Sequence, residues 1–134
     1  MAGLSDDAID EAIRSFKGVE HRLELVGEWE GVRWYNDSKA TNPDAGRVAL
    51  AAFPNTPVVL IAGGYGSGFE LGDWLADVLA NVEAVVLIGA SAATLADALH
   101  NHRKVVRAAD LDHAVDVAGS LARPGGVVLL SPAY

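Results

Sequence analysis

An apolar stretch with strand character ends abruptly in six polar side chains, in the run Trp34-Tyr35-Asn36-Asp37-Ser38-Lys39-Ala40-Thr41-Asn42-Pro43-Asp44. An Asp at the end of a buried strand can hold a magnesium-bound water or a ribose hydroxyl. Lys39, two residues on, can neutralise a phosphate or a carboxylate, and Thr41 and Asn42 can complete its recognition. The plainer reading is that Asp37 and Asn42 cap the helix that Pro43 opens. Six polar groups exceed what a cap requires, so the segment is predicted to bind a ligand at the carboxyl edge of an open α/β sheet.

Further groups could contribute or must be weighed. Gly63-Gly64-Tyr65-Gly66-Ser67-Gly68 follows an apolar run and precedes a helical pattern. Its backbone N–H groups could converge on an anion, or the run could be a strand–helix turn. It is not a Walker A loop, because no Lys follows the last Gly, and its spacing departs from the dinucleotide fingerprint. The pair His21-Arg22 is either solvated or directed at a phosphate. His100, His102 and His113 lack metal-ligand spacing and read as surface residues. Ser131 has no nucleophile-elbow context. Among the aromatics around the hairpin, one or two of Trp29, Trp34 and Tyr35 should enter the core, and Trp29 either joins them or marks an interface.

The elements that must position these groups follow from periodicity. Leu4, Ala8, Ile9, Ala12, Ile13 and Phe16 recur at helical spacing, with Ser5 as cap and Gly18 as stop. His21 to Gly27 and Val32 to Asn36 read as an antiparallel hairpin around Gly31, a glycine expected at positive φ. Ala45, Val48, Ala49, Ala52 and Phe53 form a helix face that Pro54 closes. Strands are then predicted at Val58 to Ala62, Val85 to Ile88, Lys104 to Arg107 and Val127 to Leu130. Helices are predicted between them, at about Leu71 to Ala80, Ser91 to His100 and Asp110 to Leu121. This alternation predicts an α/β fold, a Rossmann-like three-layer sandwich. Its sheet of about six strands should be mostly parallel, with an N-terminal antiparallel hairpin. The loops after Asn36, Ala62, Ile88, Arg107 and Leu130 then share one edge.

Composition limits the alternatives. With 134 residues, 51% of them hydrophobic, the chain suits a single compact domain. The formal net charge of −8 argues against nonspecific binding to nucleic acid or anionic membrane. Cysteine is absent, which excludes disulfides and thiolate metal sites and fits a reducing compartment. No apolar run approaches membrane-spanning length, and the acidic N-terminus lacks a signal pattern. A cytoplasmic protein, or a piece of one, is the expectation.

Taken together, His21-Arg22-Leu23-Glu24, Asn36-Asp37-Ser38-Lys39-Ala40-Thr41-Asn42, a strand ending in Gly63-Gly64, and Leu129-Leu130-Ser131-Pro132-Ala133 resemble one known family. It is the C-terminal domain of the ATP-dependent Mur ligases, and within them the D-glutamate-adding branch. The resemblance covers about residues 18–134. Residues 1–17 look like a connecting helix from a preceding central domain, and the domain looks truncated at its end. The resemblance implies that Arg22 approaches the nucleotide phosphates, that Asp37 and Lys39 lie near the nucleotide, and that Asn42 lies on its adenine or ribose side. Thr41 and Ser131, with Ser67 as a further candidate, would help to bind D-glutamate. The implied reaction uses ATP and Mg2+ to phosphorylate the carboxylate of UDP-N-acetylmuramoyl-L-alanine. The D-glutamate amine then attacks the acyl phosphate, giving amide, ADP and phosphate, in the synthesis of a peptidoglycan precursor.

Two departures from the family pattern bear on this. Where the family continues Gly-Gly with a variable residue and Asp-Lys-Gly, this chain has Tyr65, Gly66, Ser67 and Gly68. Ser67 therefore removes a charge-assisted contact to a D-glutamate carboxylate. The family also runs on past Ser-Pro-Ala into a segment with a substrate-packing Phe, whereas this sequence stops at Tyr134. The family's Lys-containing ATP loop and its UDP-binding domain lie in other domains. The chain alone is thus expected to be a monomer that holds no cofactor tightly and turns over no substrate. Two alternatives stand beside this reading. One is a degenerate or re-specified ligase-like module that binds an amino acid or nucleotide without D-glutamate ligase activity. The other is a stand-alone Rossmann-like nucleotide-binding protein or adaptor.

Overall fold

The structure, a computed structural model, describes residues 22–64, 70–102 and 104–132. The helix read over Leu4 to Phe16, the family's connecting helix at 1–17, His21 and Ser67 lie outside the described residues.

Strands β1 (Glu24–Trp29) and β2 (Val32–Asn36) pair antiparallel. The two residues between them, Glu30 and Gly31, have φ of 54° and 79°. Two consecutive positive φ values make the turn whose twist suits a two-residue hairpin. The remaining strands, β3 (Val58–Ala62), β4 (Val82–Leu87), β5 (Val105–Arg107) and β6 (Val127–Leu130), pair parallel in the order β1-β2-β6-β3-β4-β5. The last strand in sequence therefore lies in the middle of the sheet. Every residue of β3 is buried, as a continuously apolar strand covered on both faces should be.

Four described helices supply the crossovers: α1 (Pro43–Ala51), α2 (Gly72–Asn81), α3 (Ala92–Ala98) and α4 (Leu111–Leu121). Pro43 occupies the first turn of α1, and the Asn42 side chain accepts the Ala45 N–H at 2.9 Å. Asp110 caps α4 in the same way, accepting from the His113 N–H at 2.8 Å. The pleat sorts the core. Leu50 of α1, Trp74 and Val78 of α2 and Leu95 of α3 pack with Val58, Leu60 and Ala62 on one face. Ala114 and Ala118 of α4 pack with Val59 and Ile61 on the other. The result is the three-layer α/β architecture with its hairpin at one edge.

Three expectations are corrected. In α1 the inward residues are Gly46, Ala49 and Leu50, and Val48 is 75% exposed. Positions 48 and 50 lie about 200° apart around a helix, so only one can face the core, and the larger Leu takes the place. Strand β4 begins at Val82, three residues before the expected start, because α2 runs into it at Asn81 with no intervening loop. His102 is half-buried, and its ring joins the Val82 carbonyl at 2.7 Å to the Lys104 backbone at 3.0 Å. It fastens the loop after α3 to the start of β4.

Candidate functional site at the carboxyl edge of the sheet

The loops that follow β2, β6, β3 and β4 meet at one edge and are stitched by backbone hydrogen bonds. Asp37 N–H donates to the Leu130 carbonyl at 2.7 Å, Ser131 N–H to Ile61 at 3.0 Å, and Gly63 N–H to Pro132 at 2.9 Å. Ser91 N–H reaches the Gly64 carbonyl at 3.0 Å, and the Ser91 hydroxyl oxygen accepts the Gly64 N–H at 2.9 Å. The edge is thereby fixed before any ligand arrives.

Asp37 is the centre of this arrangement. It is 5% exposed, and both carboxylate oxygens are engaged within the protein. Oδ1 accepts the Leu23 N–H at 2.9 Å, and Oδ2 accepts the Ser131 hydroxyl at 3.2 Å. Burial pushes its carboxyl above the ordinary 3.8, while the Leu23 N–H, the Ser131 hydroxyl and the nearby Arg22 charge pull the other way. Ser131 is 1% exposed. Leu23 holds a φ of 47°, a region that a branched side chain rarely adopts, and the Asp37 bond secures it there.

Outside this buried pair lies a groove of about 340 Å³, lined by Arg22, Leu23, Asp37 and Lys39 on one side and by Ala45, Val48 and Ala49 of α1 on the other. Arg22 and Lys39 are exposed. Two cations flanking an apolar wall suit an anionic ligand with a less polar body. Each oxygen of Asp37 accepts one hydrogen bond within the protein, and no group of three His, Asp or Glu side chains with metal-holding geometry occurs among the described residues.

The sequence-predicted residues thus divide. Arg22, Asp37 and Lys39 line one groove, with Ser131 directly behind Asp37. Thr41 and Asn42 are exposed at the start of α1, where Asn42 acts as the helix cap. Gly63, Gly64 and Gly89 serve close packing of two loops. A β-carbon on Gly63 would collide with the Ile88 carbonyl oxygen, and one on Gly89 would lie 2.9 Å from the Gly64 carbonyl oxygen. Sequence reasoning missed Leu23 and Ser91. Nothing local marks a leucine for positive φ. Ser91 stands at the N-terminus of α3 yet makes no side-chain cap there.

The larger depression at the opposite edge of the sheet, about 740 Å³, carries charges that pair with one another. Arg47 meets Asp77 at 2.9 Å and Arg123 meets Glu83 at 3.0 Å. It offers less unspent chemistry than the smaller groove.

Comparison with known proteins places this arrangement. The family described as "Mur ligase, glutamate ligase domain" matches residues 21–134. A UDP-N-acetylmuramoylalanine--D-glutamate ligase of Desulfitobacterium hafniense is 47% identical over 133 residues, covering 98% of this chain and 29% of that protein. The chain therefore spans about three tenths of the length of such relatives. Among solved structures, a bifunctional folylpolyglutamate synthase/dihydrofolate synthase from Yersinia pestis superposes with a TM-score of 0.71 at 26% identity, covering 95% of this chain and 31% of that one. The UDP-N-acetylmuramate-alanine ligase MurC of Thermotoga maritima superposes at 0.70 with 20% identity, over 98% of this chain and 31% of that one, and shares the fold. With the family match running from the residue before Arg22 through the Asp37 loop to Ser131 and beyond, the chain belongs to the Mur ligase glutamate ligase domain family.

Proposed function

We propose that this chain is the amino-acid-binding, cleft-closing domain of a ligase that adds D-glutamate to UDP-N-acetylmuramoyl-L-alanine at the expense of ATP. The observation that carries this reading is the groove in which Arg22 and Lys39 flank Asp37, formed by the same residues that match the D-glutamate-adding branch. Arg22 and Lys39 meet nucleotide phosphate at the domain closure, Asn42 lies on the adenine or ribose side, and Thr41 and Ser131, with Ser67 as a further candidate, help to bind the amino acid. Residues 18–134 form the domain and 1–17 its connection to a central one.

Elementary chemistry favours this division of labour. An acyl phosphate hydrolyses unless water is kept away, so a separate domain that closes over it protects the intermediate. Closure also brings the amine to the acyl carbon in attack geometry. ATP supplies the phosphoryl group, and cations at the groove suit its phosphates. The enzyme works in the cytoplasm, and this chain by itself, a monomer, lacks turnover.

Ser67 in place of the family's Lys favours a second reading, a re-specified module that binds another amino acid. Amide NMR titration of the chain with D-glutamate, L-glutamate and MgADP in separate samples distinguishes the two. The D-glutamate reading expects saturable shifts at Arg22, Asp37 to Asn42 and Ser131, stronger for the D than the L enantiomer. Equal or reversed preference for the enantiomers sinks it and leaves the re-specified module.

A further inference from the structure

The hydrogen bonds of Asp37 reach in two directions that the sequence keeps far apart. Leu23 is 14 positions before it and Ser131 is 94 positions after it. Leu23 follows Arg22, which lines the open groove, and Ser131 follows the last residue of the strand in the middle of the sheet. One buried carboxylate therefore touches both the chain that carries the groove's arginine and the hydroxyl behind the groove floor.

We propose that Asp37 is a positioning residue, a carboxylate strap that ties the backbone at Arg22-Leu23, on one wall of the groove, to the Ser131 hydroxyl behind it, so that this wall and the end of β6 move as one unit. It acts on these partners, each carboxylate oxygen accepting from one protein donor. The strap holds Leu23 at a φ of 47°, a conformation that relaxes once the restraint is gone. It thereby sets the direction in which Arg22 leaves the sheet edge. Ser131, 1% exposed, in turn has its hydroxyl aimed by Asp37. The charged side chains that share the groove with Asp37 are Arg22 and Lys39. In terms of the proposed function, on which this consequence rests, the phosphate side and the amino-acid side are mechanically linked through one side chain.

The test follows the Leu23 and Ser131 amide resonances of the isotope-labelled chain from acid to neutral pH. Both are expected to shift with one common midpoint, above the ordinary aspartate value of 3.8. Asp37→Asn, which preserves shape and hydrogen-bonding capacity, should abolish both transitions. Ser131→Ala should move the midpoint seen at Leu23 upward, because a hydrogen bond that favours the carboxylate is lost. Separate midpoints at the two amides, or a Leu23 midpoint indifferent to Ser131→Ala, would overturn the strap. No ligand takes part in these titrations. A failure to bind D-glutamate therefore counts against the functional reading alone, and uncoupled midpoints count against the strap alone.

Discussion

Gly63 faces the carbonyl oxygen of Ile88 so closely that no β-carbon fits between them, and its φ is 114°. Gly63→Ala should therefore cost at least about 3 kcal/mol, since backbone on both sides must shift and the conformation itself is strained. Gly125 makes the internal control. Its φ is 85° but the space beside it is open, so Gly125→Ala should cost about 1–2 kcal/mol from the backbone alone. Urea denaturation of both variants measures the difference. Equal losses would mean that crowding against Ile88 contributes nothing.

Asp37 predicts a trade between stability and function. Its folded carboxyl titrates above the ordinary 3.8, so the folded state holds its proton where the unfolded chain has released it. Its contribution to stability is thus fully present below about 3.8 and declines as pH rises through the folded value. Asp37→Asn removes this dependence. The variant should match or exceed the parent in stability at neutral pH, and its stability should vary less just above 3.8. Thermal melts across this interval provide the check, and a neutral-pH loss of several degrees would contradict it.

Trp74 is 1% exposed, and its indole N–H has no hydrogen-bond partner among the described residues. Leaving a buried donor unpaired is costly, so the residue is retained for its bulk in the core on the α1–α3 side of the sheet. Trp74→Phe should accordingly be mild, within about 1.5 kcal/mol, as the lost volume is offset by removal of the unpaired donor. Trp74→Ala should cost about 3–5 kcal/mol. Comparable losses in the two variants would show that the N–H is satisfied in solution.

Asn42 separates capping from recognition. Its side chain accepts the Ala45 N–H at 2.9 Å, and Asn42→Ala should lose about 1 kcal/mol. Asn42→Asp keeps an acceptor at the helix N-terminus and should hold stability within a few tenths of a kcal/mol. It nonetheless removes the amide donor and adds negative charge beside a groove proposed to take phosphate. Nucleotide affinity measured on this variant should fall while its melt is unchanged. An unaltered affinity would confine Asn42 to its role as a cap.

Much of the architecture was legible from local pattern. Val58 to Ala62 and Val127 to Leu130 read as strands because their apolar runs are continuous and bounded by turns, and the structure has both. The hairpin was marked by Gly31. What was illegible depended on partners. Val48 drew the α1 face outward because the alanines around it carry little hydrophobic weight, whereas Leu50 reaches the core. His102 gave no sign that it would bridge Val82 and Lys104, since that contact exists only once α3 and β4 are assembled. At the site, the polar run from Asn36 to Asn42 announced itself. The pairing of Asp37 with Ser131 did not, because it spans 94 positions and closes only when β6 enters the sheet.

The place of β6 governs how the domain can be made. Val127 to Leu130 joins β2 to β3, and no other described strand connects the hairpin side to the β3–β5 side. As the nascent polypeptide leaves the ribosome, the two halves of the sheet therefore wait, each with a bare edge, until this late segment emerges. The closing contacts are also long-range in sequence, which makes their formation slow. A chain cut short before Val127 is two half-sheets with sticky margins, a client for chaperones and proteases.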